Sequence, residues 1–270
     1  MKLAISNIAW GAEDDENIYD MMVRYGYKGL EIAPTRIFPT DPYGDLARAE
    51  QWSGDIRTRY GFYIPSIQSI WYGRQERLFG SRREQEILVR YTEQAVGFAA
   101  AIGCRNLVFG CPKNRSIYPA ARETVDSKMA IHFFRHLGNY AASKGTVIGM
   151  EANPRIYGTD YINDTHSALG LIRQVGSDDF RLNLDVGTMI QNGEDIGELK
   201  GNVGYIQHVH ISEPGLEKIK ERGVHRRLSR LLEKERYPGY VSIEMKRPNG
   251  SLDIEATLQY VKEVFGDGAR

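Results

Sequence analysis

Runs of alternating apolar and polar residues recur along this chain, spaced widely enough to leave room for a helix between each pair. Strand-compatible runs stand near residues 2–9, 28–33, 62–70, 106–111, 147–152, 181–186, 205–211 and 240–245. Between them the apolar positions return at helical spacing. Over 81–102, for example, Val89, Thr92, Ala95, Val96, Ala99 and Ala100 share one side of a helix. The same periodicity predicts helices over 126–144, 165–175, 223–235 and 252–265. Gly61, Gly103, Gly145, Gly176 and Pro238-Gly239 punctuate the joints. No linker, low-complexity tract or literal repeat breaks the rhythm. Eight β/α alternations predict a single α/β domain over 1–270, a (β/α)8 TIM barrel, the fold that commonly takes about 250 residues. A doubly wound open sheet is the rival architecture, but it gathers the ends of successive strands around one point less readily.

The late strands also say which side chains face inward. Asn183 and Asp185 share one face while Leu182 and Leu184 share the other. Ser242 and Glu244 oppose Val241 and Ile243, and Gly149 and Glu151 oppose Ile148 and Met150. The apolar face packs under the helices and the small or polar face lines the barrel. In these strands the acidic residue comes last, at the C-terminal rim where residues read as catalytic in this fold.

Four such strand ends carry a metal-type ligand: Glu151, Asp185, His210 and Glu244, at spacings of 34, 25 and 34 residues. Each spacing is about one strand-plus-helix unit, so the four meet around one point on the rim. Three carboxylates with one imidazole suit Mn²⁺ or Mg²⁺, with Co²⁺ or Zn²⁺ as further options. A structural zinc site favours thiolates and a closed shell. Four protein ligands on a six-coordinate ion leave two positions for substrate oxygens.

Other residues near the rim are candidates for substrate contact. His208 lies two residues before His210, on the same face one layer deeper, where it orients the ligand shell. Glu31 and Gln68 end the second and third runs and are placed to bond a hydroxyl-rich substrate. Trp10 and Trp71, after the first and third runs, are placed to wall the pocket. Asn153, Glu213 and Lys246 follow metal candidates by two or three residues, and Lys246 offers a cation to a substrate anion. Lys113 and Arg115 read as solvated loop charges.

Composition narrows the rest. Lys+Arg and Asp+Glu balance at 35 each, so no basic excess argues for nucleic acid. No apolar stretch approaches the roughly 20 residues of a membrane span, and the first residues are too polar for a signal segment. Cys104 and Cys111 lack a redox or metal spacing. A cytoplasmic protein with both thiols reduced is expected, acting on a small molecule, with homo-oligomerisation open. No Gly-x-Gly-x-x-Gly, Walker loop or Gly-x-Ser-x-Gly elbow is present.

The pieces Gly29-Leu30-Glu31, Ser66-Ile67-Gln68, Gly149-Met150-Glu151-Ala152-Asn153-Pro154, Leu184-Asp185-Val186-Gly187, His208-Val209-His210-Ile211-Ser212-Glu213 and Ser242-Ile243-Glu244-Met245 span nearly the whole chain. In this ordered series the chain resembles the xylose isomerase-like TIM barrel superfamily of sugar and sugar phosphate isomerases and epimerases. The resemblance implies one divalent ion, often Mn²⁺, on Glu151, Asp185, His210 and Glu244. It further implies that Glu151 and Glu244 exchange a proton on opposite faces of a sugar, through a metal-stabilised enediolate. Ketose 3-epimerases of the family carry a histidine where this chain has Thr188, an arginine where it has Leu216, and a glutamate near Tyr157 and Gly158. A larger or charged sugar derivative is therefore the expected substrate. Rival readings on the same barrel are a lyase, either a dehydroshikimate-type dehydratase or a β-eliminating enzyme on an oxidised glycoside, an endonuclease IV-like DNA repair enzyme, and a non-catalytic sugar-binding barrel.

Overall fold

The computed structural model describes residues 1–117, 127–248 and 250–266. Seven strands form one parallel sheet: β1 (Lys2–Ser6), β2 (Gly29–Glu31), β3 (Leu107–Phe109), β4 (Ile148–Glu151), β5 (Phe180–Asp185), β6 (Ile206–Ile211) and β7 (Tyr240–Ile243). Their order is β2-β1-β7-β6-β5-β4-β3, so β2 and β3 are the free edges.

The segment 63–67 fills the gap between those edges and closes the ring. Gly29 bridges Tyr63, and Ile67 bridges both Ile32 and Leu107, all in parallel. Tyr63 N–H donates to Lys28 O at 2.8 Å, and Val108 N–H donates to Ile67 O at 2.8 Å. The third of the eight predicted strands, over 62–70, is thus present as bridges and not as a continuous ladder. Pro65 is the reason: it has no N–H, so a central strand cannot run unbroken through it. Seven strands and this bridging segment make the α/β barrel.

Helices sheathe the ring: α1 (Asp15–Tyr25), α2 (Pro34–Ile37), α3 (Leu46–Tyr60), α4 (Arg82–Ala101), α5 (Ser127–Ser143), α6 (Thr165–Val175), α7 (Val186–Asn192), α8 (Gly223–Lys234) and α9 (Ser251–Phe265). The α4 boundary follows from a capping box, in which Ser81 Oγ accepts from Glu84 N–H while the Glu84 carboxylate accepts from Ser81 N–H. The helix predicted from 126 is described from Ser127, since Asp126 lies outside the described residues. Among the described residues no helix is long and apolar enough to cross a membrane.

Strand alternation sorts the interior into two environments. Leu3, Ile5, Leu182, Leu184, Val209, Ile211, Val241 and Ile243 are buried between sheet and helices. The opposite faces fill the barrel itself with buried polar groups: Ser6, Glu31, Ser66, Asn106, Asn183, His208, His210 and Ser242. Register levels them, with His208 beside Asn183, and His210 beside both Asp185 and Ser242. A register shift between Leu182 and Asn183 skips Gln207 and brings both histidines into these rows. Gly149 permits the crowding: a Cβ there would stand 2.5 Å from Asn106 Oδ1 and 3.2 Å from Asn183 Cβ.

Candidate metal centre

Because parallel strands end on the same rim, β4, β5, β6 and the residue after β7 deliver Glu151, Asp185, His210 and Glu244 to one place. One ligand atom from each lies within 4.8 Å of every other. Oxygens on opposite sides of an octahedral cation stand about 4–5 Å apart for bond lengths of roughly 2.0–2.6 Å. The cluster is therefore the size of one coordination shell. Gly110 leaves the space beside it, since a Cβ there would lie 2.7 Å from Glu151 Oε2.

Each ligand candidate is held from behind. Glu151 Oε1 accepts from Asn183 Nδ2 at 2.9 Å, and Oε2 accepts from Asn153 Nδ2 at 3.0 Å. Asp185 is also the N-cap of α7, its Oδ1 accepting from Thr188 N–H, while Ser212 Oγ donates to Oδ2 at 2.9 Å. His210 presents Nδ1 to the cluster, 2.9 Å from Glu151 Oε1 and 3.2 Å from Glu244 Oε2. Its Nε2 lies 2.9 Å from Glu31 Oε1. That carboxylate–histidine pairing fixes a ligand's tautomer and frees the other ring nitrogen for a metal.

Glu31 is fully buried under His210, and each oxygen has two partners. Ser66 Oγ and His210 Nε2 meet Oε1 at 2.9 Å each, while Ser242 Oγ at 2.6 Å and His208 Nε2 at 3.3 Å meet Oε2. Glu31, His208 and His210 form a second compact group of titratable atoms. His210 joins the two tiers.

The electrostatics describe a site built for positive charge. Burial, followed by the neighbouring Glu151 and Glu244, pushes Asp185 up to about 7. Burial likewise raises Glu244, only partly opposed by His210. For His210, burial favours the neutral ring, but Glu244 and Glu31 outweigh it and raise the group well above its usual value. Glu31 goes the other way: burial would raise it, yet His210 and His208 hold it well below the usual carboxylate range. Burial lowers His208, which stays neutral at pH 7. Crowded carboxylates that resist joint ionisation, one inward-facing Nδ1 and a hard O₃N donor set together fit a single divalent cation.

A cavity of about 160 Å³ opens onto the cluster, lined also by Gln68, Cys111, Tyr157 and Leu216. It is smaller than the roughly 300–1,000 Å³ of drug-sized sites and suits a small molecule. The Tyr157 hydroxyl accepts from Gly215 N–H at 2.8 Å, linking the loops after β4 and β6 across the mouth.

Of the residues expected near substrate, Gln68 and Asn153 line this cavity, and Glu31 and His208 lie beneath it. Four others are held elsewhere. Trp10 donates its indole N–H to Asp15 at 2.7 Å and packs edge-on against Tyr19. Trp71 donates to Thr92 at 2.8 Å and sits in the core against Phe109 and Phe133. Glu213 is paired with Arg222, both carboxylate oxygens accepting at 2.6 Å. Lys246 pairs with Glu217 at the surface, its side chain 59% exposed. In each case the loop turns the side chain toward a partner outside the strand it follows. Arg115, read as a solvated charge, is fully buried behind Glu151. Asn183 was legible as an inward neighbour of Asp185, but its bond to Glu151 depends on cross-strand register.

The xylose isomerase-like TIM barrel family matches residues 20–264, and the chain belongs to that family. Among curated proteins, none matches the chain. Solved structures similar to it include D-psicose 3-epimerase from Clostridium cellulolyticum H10 with D-tagatose, at 15% identity and a TM-score of 0.79, covering 99% of this chain and 100% of that one. A 3-keto-D-glucoside 4-epimerase from E. coli aligns at 18% identity and a TM-score of 0.78, over 97% and 99% of the two chains. An AP endonuclease, family 2, from Brucella melitensis aligns at 19% identity and a TM-score of 0.71, over 96% and 98%. At these identities the likeness is one of fold.

Proposed function

We propose that this member of the xylose isomerase-like TIM barrel family is a divalent-metal-dependent isomerase or epimerase of a sugar or sugar derivative. The observation that carries the reading is the convergence of Glu151, Asp185, His210 and Glu244 within 4.8 Å beside a small cavity. Solved structures of sugar epimerases with the same fold favour it.

Glu151, Asp185, Glu244 and the Nδ1 of His210 would hold the cation, a donor set that suits Mn²⁺ or Mg²⁺, with Mn²⁺ favoured by the family resemblance. When bound, a divalent cation supplies Lewis-acid polarisation of a substrate carbonyl and so acidifies the adjacent C–H. Glu151 and Glu244 come from different strands and both reach the cavity. One, as the carboxylate, removes the proton, and the other, as the carboxylic acid, delivers its own proton from the opposite face. Asn183 and Asn153 hold the Glu151 carboxylate in one orientation, which keeps its remaining lone pairs on the cavity side. Asp185, anchored by Thr188 N–H and Ser212, serves as ligand only. Leu216 gives the cavity an apolar wall, and Tyr157 offers a hydroxyl there. This lining favours a small substrate that presents an apolar face to Leu216 and an oxygen acceptor to Tyr157.

The test is proton exchange with solvent. Protein loaded with Mn²⁺ is incubated in D₂O with a panel of ketoses, keto-glycosides and sugar acids, and products are read by NMR. The reading predicts deuterium beside the carbonyl of one panel member and a loss of at least about 10²-fold in Glu151→Gln and Glu244→Gln. An unsaturated product would assign the chain to the lyases instead. No turnover by metal-loaded protein across the panel would count against a sugar substrate.

A further inference from the structure

Arg115 ends the short turn Pro112–Arg115 after β3, and its side chain is 0% exposed. Among the described residues no carboxylate lies within ion-pair distance of it. Its two terminal nitrogens donate to neutral oxygens instead, while Nε has no partner among the described residues. Nη1 donates to Glu151 O at 2.8 Å and Phe109 O at 3.4 Å, and Nη2 to Asn153 Oδ1 at 3.0 Å and Ile162 O at 3.3 Å. A buried cation without a counter-ion is destabilising in ordinary surroundings. The Glu151 carboxylate is near enough to offset part of that cost. Burial lowers the group to about 10, so it stays charged at pH 7.

The contact with Asn153 carries the most consequence. An amide has one oxygen and one NH₂, and which end faces which neighbour is set by the network around it. The Arg115 fork gives Oδ1 a donor, so Nδ2 must face Glu151, where it lies 3.0 Å from Oε2. Reversed, the amide would present NH₂ to a cation and an oxygen to a carboxylate. A second grip, on Glu151 O, holds the backbone at the end of β4.

We propose that Arg115 is a positioning residue for the metal centre. It fixes the polarity of the Asn153 amide and the end of β4, and through both it fixes the orientation of the Glu151 carboxylate toward the cation. The proposal rests on the metal reading above and concerns Arg115, which is neither one of the four ligands nor a lining residue of the cavity.

A double-mutant cycle tests it, with Mn²⁺ as the probe, calorimetry for affinity and thermal melts for folding. Arg115→Met and Asn153→Leu should each weaken Mn²⁺ binding about 10- to 100-fold, the range for groups that orient ligands. The double variant should be no worse than the weaker single, because both act on one link. Arg115→Lys keeps the charge but not the fork and should also lose affinity. If Arg115→Met fails to fold, Arg115→Lys with Asn153→Leu completes the cycle. Wild-type Mn²⁺ affinity in folded variants, or losses that add in the double, would overturn the proposal and leave Arg115 a staple between β4 and its loop. Wild-type protein that binds no Mn²⁺ would overturn the metal reading and this inference together.

Discussion

Glu31 should govern metal affinity although it lies a layer below the ligands. The perturbation is Glu31→Gln, which keeps the shape but replaces one acceptor oxygen with NH₂ and removes the charge. If the new NH₂ faces His210, Nε2 must give up its proton and the ring's N–H moves to Nδ1. That is the atom lying 2.9 Å from Glu151 and 3.2 Å from Glu244, where a cation would sit. The cheaper arrangement turns the NH₂ toward Ser242 and His208, whose hydroxyl and neutral ring can both adapt. The oxygen then remains for His210 and Ser66. What is lost is the carboxylate's charge on the bond to His210, since hydrogen bonds to charged groups contribute about 1.5–3 kcal/mol against about 1 for neutral ones. The difference, roughly 0.5–2 kcal/mol, corresponds to about 2- to 30-fold in Mn²⁺ affinity. Glu31→Leu removes every acceptor and leaves buried donors unpaired, at about 1–3 kcal/mol each. It should lose at least about 10²-fold in affinity as well as stability. Titration calorimetry with Mn²⁺ on both variants, alongside melts, gives the comparison. Equal affinity in wild type, Glu31→Gln and a folded Glu31→Leu would refute the claim that Glu31 orients His210.

Two further outcomes follow from the same geometry. Asp185 is raised to about 7, so below that pH the cation must displace a proton, while above it the carboxylate is already free. The rise in melting temperature on adding Mn²⁺ should therefore be larger at pH 7.5 than at pH 5.5, and a larger rise at the lower pH would contradict the assignment. Trp71 sits in the core with its indole N–H on Thr92, so Trp71→Phe should cost about 1–3 kcal/mol in urea denaturation without changing Mn²⁺ affinity. A selective loss of affinity would instead bring Trp71 to the site.

The rim was legible because two local rules decide it. Strand alternation puts Glu151, Asp185, His210 and Glu244 on the inward face, and parallel topology puts their ends together. Neither rule needs tertiary detail. The predicted run over 62–70 blurred because Pro65 removes a ladder donor that hydrophobic patterning does not count. Trp10, Trp71, Glu213 and Lys246 lie beyond strand ends, where direction depends on the partner each finds: Asp15, Thr92, Arg222 and Glu217. Asp15 and Thr92 lie in α1 and α4, and no pattern near the tryptophans announces them. Arg115 shows the limit most clearly. A cation in a Pro-Lys-Asn-Arg turn reads as solvated until strand-end carbonyls and Asn153 are seen to need a donor.

The central claim is that Glu151, Asp185, His210 and Glu244 form one divalent-metal site. Elemental analysis of protein loaded with Mn²⁺ and then dialysed measures it directly, on wild type, Asp185→Ala and His210→Ala. The account predicts about one Mn²⁺ per wild-type chain and little in either variant, with all three folded by circular dichroism. Full metal content in both variants, or none in the wild type, would contradict it.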